Sequence, residues 1–344
     1  MPQLVQPLPP GPLAIVGDVH GEIEALDRLL ERLAADATPR TLVFVGDLVD
    51  RGPDSVAVVR RVAALIAEGR ALATLGNHEL NILLGDRKEG NGWFFGHPDH
   101  AQIEGAEVPF DSVPASPADR DEVLELLRRL PLVLERDDVR VVHAGYSAAT
   151  VARLPAEGDP AALSKAAEQA TRADLAARGV PAAAAKERAE LAGLRDQHVK
   201  PDRHLAAVAE EDSALQLRNP VKLLTSGAEV PVAPGEHFFV GGKWRFVCRD
   251  RWWREPVDRP TVVGHYWRRR GAPVPGKVDV WDDVPPFAWS GDVFCVDYSV
   301  GRRFAERHAG RKTEFTGGLG ALLWPERTVV FDDRDETTPT APTR

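Results

Sequence analysis

The sequence predicts an α/β protein built on parallel strands, and three observations lead there. Short apolar runs alternate with amphipathic segments between residues 12 and 79. Each apolar run ends in a glycine followed by polar side chains able to bind ligands. No apolar stretch approaches the roughly 18 residues of a membrane span. Ligands of open α/β sheets gather beyond the carboxyl ends of the strands, so loops that begin there face one shared edge.

The elements follow in order. The proline-rich residues 1–12 are expected to be extended. "PLAIVGD" reads as a buried strand, and "EIEALDRLLERLAAD" puts Ile23, Leu26, Leu29, Leu30 and Leu33 on one helical face. "TLVFVGD" repeats the strand-to-loop pattern. "SVAVVRRVAALIAEG" is a second helix closed by Gly69, and "RALATLGNHE" a third strand. Strand, helix, strand, helix, strand implies right-handed crossovers. Residues 85–118, rich in Gly, Pro and Asp, form a long excursion before the helix "DRDEVLELLRRLP" and the strand "DVRVVHAG". An alanine-rich helical cap is expected within an insertion at 157–235. From 236 on, "HFFVG", "WRFVCRD", "TVVGHYW", "VFCVDYS" and "RTVVFDD" read as short strands of a second sheet packed on the first. Residues 332–344 are expected to be a disordered tail. The organisation expected is thus one domain, 13–331, carrying insertions at 85–118 and 157–235.

Composition narrows the function. With 43% hydrophobic and 28% charged residues the chain suits an ordinary globular protein. A formal charge of −9 excludes a general nucleic-acid coat but leaves room for a local basic site. Cys248 and Cys295 form no C-x-x-C pair, which removes a zinc ribbon and favours reduced thiols. The first residues show no export signal, so a cytoplasmic location is expected.

The strand ends carry Asp18, His20, Asp47, Asp50, Arg51, Asn77, His78, Glu79, His143 and His265. One such histidine is more often structural than a ligand. The recurrence of acids, amide and imidazoles at five strand ends points instead to a shared site. Carboxylate and imidazole donors without thiolate suit manganese, iron, zinc or related divalent ions. They are too many for one open tetrahedral site. Two ions about 3.5–4 Å apart, bridged by a carboxylate, would use them all, lower the pKa of a shared water and clamp phosphoryl oxygens. Arg51 can offer phosphate a bidentate fork. Phosphoester hydrolysis is the chemistry this set suits.

"GDVHG", "GDLVDRG", "GNHE", "VVHAG" and "VVGH", in this order, resemble the calcineurin-like metallophosphoesterases. The "VDRG" and "GNHE" forms are similar to the phosphoprotein-phosphatase branch, which includes bacterial Ser/Thr phosphatases and symmetrical dinucleoside-tetraphosphatases. The resemblance implies a metallophosphoesterase fold of two packed mixed sheets flanked by helices, and two divalent ions, Mn2+ first, with Fe, Zn, Ni or Co as alternatives. Asp18 and His20 would hold the first ion and Asp47 bridge to the second, with Asn77, His143 and His265 completing its shell. His78, held by Asp50, would act as general acid on a step in which metal-bound hydroxide attacks. Arg51 would hold the phosphate, with Arg218 as the second phosphate arginine that this branch usually carries. The expected substrate is a phosphomonoester, foremost a phosphoprotein. The alternative is a dinucleoside polyphosphate, and a lesser one is a non-catalytic regulatory protein. No membrane partner is expected.

Other features carry paired readings. Trp244, Trp252, Trp253, Trp267 and Arg268 to Arg270 are read as strands burying their tryptophans, or alternatively as a base-stacking and polyphosphate surface. His97 and His100 beside Asp99 are read as a loop walling the cleft, or as a third metal site. Glu79 is read as a loop support. Asp297 either orients a ligand histidine or simply ends a strand.

Overall fold

The computed structural model describes residues 1–341 apart from 104, 192, 193, 195, 197, 241, 272–279, 282 and 336. The chain packs as two compact units. The first comprises Met1–Ala144, Pro155–Pro160 and Trp253–Arg344, and the second Gly145–Leu154 and Ala161–Trp252.

The first unit begins with β1 (Val5–Pro7) and β2 (Leu13–Val16), then α1 (Ile23–Ala35), β3 (Thr41–Phe44), α2 (Ser55–Ala67), β4 (Ala71–Ala73), α3 (Asn77–Leu84) and α4 (Gly92–Phe95). The hairpin β5 (His100–Ile103) and β6 (Ala106–Pro109) leads to α5 (Pro117–Leu127), β7 (Val133–Arg136) and β8 (Val139–Val142). Capping chemistry starts the helices where the sequence turns polar. Asp54 accepts the Ala57 N–H ahead of α2, and Ser116 with Asp119 forms a reciprocal box around Pro117 ahead of α5.

The second unit holds α6 (Ala148–Val151), α7 (Pro160–Ala177), α8 (Val180–Glu190), α9 (Ala206–Leu217) and α10 (Pro220–Ser226), with strands β9 (Glu229–Pro231), β10 (Phe238–Val240), β11 (Lys243–Arg245) and β12 (Val247–Arg249). Its own core joins Ala184, Leu205, Val208 and Ala209 to Trp244, Phe246 and Val247. The chain then returns to the first unit with β13 (Thr261–Val263), β14 (Val293–Cys295), α11 (Arg303–His308), β15 (Gly320–Trp324), β16 (Thr328–Phe331) and β17 (Thr338–Pro339).

Two mixed sheets make the first unit. One has the order β17-β16-β15-β2-β3-β4 and the other β1-β7-β8-β13-β14. β2, β3 and β4 run parallel, as do β8, β13 and β14. Ile15, Val43 and Leu322 from the first sheet share one buried cluster with Val141, Val262 and Phe294 from the second. This is the metallophosphoesterase architecture the motifs imply. No helix of the described residues is long and apolar enough to cross a membrane.

Three strand expectations are corrected. "HFFVG" and "WRFVCRD" belong to two-stranded sheets of the second unit, where β10 pairs with β11 and β12 with β9. "RTVVFDD" joins the first sheet, because β16 hydrogen-bonds antiparallel to β15, which itself pairs with β2. Apolar periodicity identified these strands but carries no information on their partners.

The expected tail at 332–344 is also corrected as far as Ala341; residues 342–344 lie outside the described residues. β17 pairs with β16, and Trp289 N donates to Ala341 O at 2.9 Å. The physical reason is a buried ion pair. Arg303 donates to both oxygens of Asp332 at 2.8 and 2.9 Å, and the same carboxylate accepts Leu319 N at 2.9 Å. Replacing Asp332 with alanine takes from the buried Arg303 its bidentate partner, leaving only the Asp333 carboxylate at 3.3 Å, and takes the acceptor from Leu319 N and Arg28. Chemical denaturation of Asp332→Ala is therefore expected to show a loss of about 3–5 kcal/mol, against a negligible change for the exposed Asp335→Ala.

Candidate metal centre

Parallel β2, β3 and β4 release residues 17–21, 45–51 and 74–79 from one edge, and β8 and β13 of the other sheet end at His143 and His265. The loops are cross-tied. Gly264 N donates to His143 O at 2.9 Å, and Tyr266 Oη to Ala144 O at 2.8 Å. His265 N donates to both oxygens of Asp18, at 3.2 and 3.0 Å. Gly264 is needed for that approach, since a Cβ there would stand 2.1 Å from Asp18 Oδ1.

Glu79 carries the backbone of this site. Its Oε2 accepts Asp47 N at 2.8 Å and Gly76 N at 2.9 Å, and its Oε1 accepts Leu48 N at 2.8 Å. Burial, with the charge of Asp47 next, raises its pKa to about 7. The segment so held includes residues in the left-handed backbone region. His20, Asp47, Asp50, Arg51, His265, Trp267 and Ser299 all have positive φ, and among the described non-glycine residues only Glu314 and Arg327 share it elsewhere. Such conformations concentrate where side chains must be aimed at a common point.

The structure brings together Asp18, His20, Asp47, Asn77, His78, His143 and His265. His20, Asp47 and His78 present ligand-type atoms within 4.8 Å of one another, as do Asp47, His143 and His265. Asp47 stands in both groups. The tautomers follow from the hydrogen bonds. His20 Nδ1 lies 3.1 Å from Val49 O and His143 Nδ1 lies 2.8 Å from Val45 O, so each must donate there. Each Nε2 is thereby aimed into the site. His143 Nε2 faces Asp47 Oδ2 at 3.3 Å and Asn77 Oδ1 at 3.2 Å, and Asn77 Oδ1 also lies 2.8 Å from His265 Nδ1.

These buried carboxylate, amide and imidazole donors, aimed at common points, fit divalent metal ions. The electrostatics agree. Burial works against a charged His143, yet Asp47 and its hydrogen bond raise it to about 10. Burial likewise opposes ionisation of Asp47, but His143 and His78 hold it well below the usual carboxylate range. Burial and then Asp297 push Asp18 well up. Burial and Arg51 push His20 down.

Asp50 and His78 form a separate pair, with His78 Nδ1 2.6 Å from Asp50 Oδ2. Asp50 Oδ1 accepts the Trp93 indole N–H at 2.7 Å. Arg51 lies across the rim, its Nη1 2.8 Å from His20 Nε2 and its Nη2 3.0 Å from His78 Nε2. Its guanidinium stacks at 4.5 Å on the Trp267 ring.

Several readings settle on different ground. Arg218 lies in the second unit, half exposed and 2.5 Å from Asp174. Asp297 accepts Trp267 N and Ser299 N at 2.7 and 2.8 Å, so it shapes the backbone after His265. Trp244 lies in the second unit's core, and Trp253 stacks on Trp281 at 4.6 Å. Buried Arg268 donates to the carbonyls of Ala288 and Cys295, and Arg270 to Asp333. Trp267 faces the site, where Arg51 lies over its ring. His97 and His100 enter neither metal-type group among the described residues. Asp99 instead accepts Gly90 N and Gly92 N, and Gly90 O accepts Arg51 N. Trp93 was missed because it stands in a glycine-rich excursion. The one signal available was that a buried indole N–H requires an acceptor.

Trp93→Phe keeps the ring and strands Asp50 Oδ1 without that donor. It is expected to lower stability by about 1–3 kcal/mol in denaturant unfolding, whereas Trp93→Phe indistinguishable from wild type would mean the bond is dispensable.

Comparison with known proteins places the site in a family. The model of the calcineurin-like phosphoesterases matches residues 11–182. A symmetrical bis(5'-nucleosyl)-tetraphosphatase of Janthinobacterium sp. strain Marseille is 40% identical over 149 residues, 41% of this chain and 48% of that protein. The protein of the same name from Ralstonia nicotianae is 38% identical over 133 residues, 38% of this chain and 40% of that protein. The chain thus spans under half the length of these relatives. A solved structure titled as a putative diadenosine tetraphosphatase covers 98% of this chain and 99% of its own, at 17% identity and a TM-score of 0.43. The expectation of a phosphoprotein phosphatase is corrected, since the relatives that match in sequence bear the tetraphosphatase name. Its basis, the "VDRG" and "GNHE" motifs, builds metal chemistry common to both activities. The chain belongs to the calcineurin-like phosphoesterases, metal-dependent hydrolases of phosphoesters.

Proposed function

We propose that this chain hydrolyses dinucleoside tetraphosphates symmetrically, releasing two nucleoside diphosphates. The relatives' activity supports the substrate class, and one observation carries the chemistry: Asp47 stands in both donor groups, while His78, 3.9 Å from it, is backed by Asp50. On this reading Asp18, His20 and Asp47 hold one divalent ion, and Asp47, Asn77, His143 and His265 a second. The set of three oxygen and three imidazole donors, with no thiolate, admits Mn2+. Bound there, such ions supply an activated water and a clamp on the phosphoryl oxygens.

The chain's own residues do the rest. Arginine only donates, so the Nε2 atoms of His20 and His78 both accept from Arg51 in the structure. An arriving phosphate draws the Arg51 fork into a bidentate contact. His78 Nε2, released from Arg51, then takes up a proton from water and passes it to the leaving phosphate oxygen as the P–O bond breaks, while its Nδ1–H remains on Asp50. Trp93 keeps the Asp50 carboxylate turned toward His78.

Metal-stripped protein reloaded with Mn2+ is expected to convert diadenosine tetraphosphate to ADP alone, at least tenfold faster than it releases phosphate from a phosphoserine peptide. Chelation by EDTA should abolish turnover. Formation of ATP plus AMP, or preference for the peptide, would overturn the proposal.

A further inference from the structure

We infer that Arg302, stacked on Trp267, is the second arginine of the substrate site and holds the phosphate next to the scissile one. The inference rests on the tetraphosphatase reading and deepens it, because only a polyphosphate chain has such a neighbour.

The position is built. Asp297 takes the backbone N–H of Trp267 on one oxygen and that of Ser299 on the other. Ser299 Oγ donates to Arg268 O at 3.0 Å. The segment after His265 and the segment leading to Arg302 are thereby buckled together, and Trp267 and Ser299 keep positive φ to satisfy the buckle. Gly301 fits against the His20 ring, where a Cβ would come within 2.6 Å of Cδ2. Arg302 thus follows directly on a residue in contact with the proposed metal centre.

Its charge is available. Arg303 is spent on Asp332, Arg270 on Asp333 and Arg307 on Glu22. Among the described residues Arg302 forms no ion pair, and its guanidinium lies 5.0 Å from the Trp267 ring centre. The same ring carries Arg51 at 4.5 Å. One half-buried indole therefore orients two guanidinium groups, and stacking leaves the N–H edges of Arg302 for phosphate oxygens while Arg51 must exchange its histidine contacts for them. Arg51 meets the phosphoryl group under attack. Arg302 meets the next charge along the chain, which a monoester lacks.

The test uses the Mn2+-loaded full chain at constant free Mn2+ and compares binding of ADP and AMP by calorimetry. Wild type is expected to favour ADP over AMP. Arg302→Ala should weaken ADP about tenfold and AMP less than twofold, and Arg302→Lys should regain part of the ADP affinity. Equal losses for both ligands, or none, would overturn the role of Arg302 and return it to structural stacking. The tetraphosphatase reading fails separately, through absence of diadenosine tetraphosphate turnover in wild type.

Discussion

Everything in the site depends on one carboxylate that is aimed away from it. Glu79 gathers the N–H groups of Asp47, Leu48 and Gly76, fastening the loop after β3 to the start of α3. Once that link exists, Asp47 Oδ1 receives His78 N at 3.0 Å while Oδ2 turns toward His143. Asp47 therefore serves the backbone with one oxygen and the inner cluster with the other. A loop unfastened at Glu79 would lose both.

The second constraint is electrostatic. Asp18, Asp47 and Asp297 are buried within reach of one another's charge, alongside His20, His78 and His143. Burying carboxylates this way is costly unless positive charge accompanies them. The fold answers at the periphery with paired arginines and at the centre with inward-aimed imidazoles beside carboxylates, a donor set that fits divalent ions. The positive-φ residues are the mechanical cost of aiming those groups from five strand ends.

The sequence made the centre legible because each ligand-type residue follows its own strand directly. Asp18 and His20, Asp47, Asn77 and His78, and His143 all sit within a few residues of a strand end, so parallel order alone converges them. His265 was legible for the same reason. What depends on long-range packing was not. Trp93 reaches Asp50 across 43 positions, and Arg302 reaches Trp267 through the Asp297 buckle. Asp332 looked like the start of a solvated acidic tail because Arg303, its partner, looked like any surface arginine. The tryptophan–arginine stretches divided in a way no pattern announces, with Trp253 and Arg268 in the interior and Trp267 at the rim. Substrate choice was least legible, since protein phosphatase and tetraphosphatase readings draw on the same motifs.

The central claim is that Asp47 joins two ion sites. Titration of metal-stripped protein with Mn2+, read by calorimetry together with elemental analysis of the dialysed complex, tests it most directly. The account predicts two ions per wild-type chain and the loss of at least one from Asp47→Asn of unchanged fold by circular dichroism. A single ion in wild type, or two bound unchanged by Asp47→Asn, would contradict it.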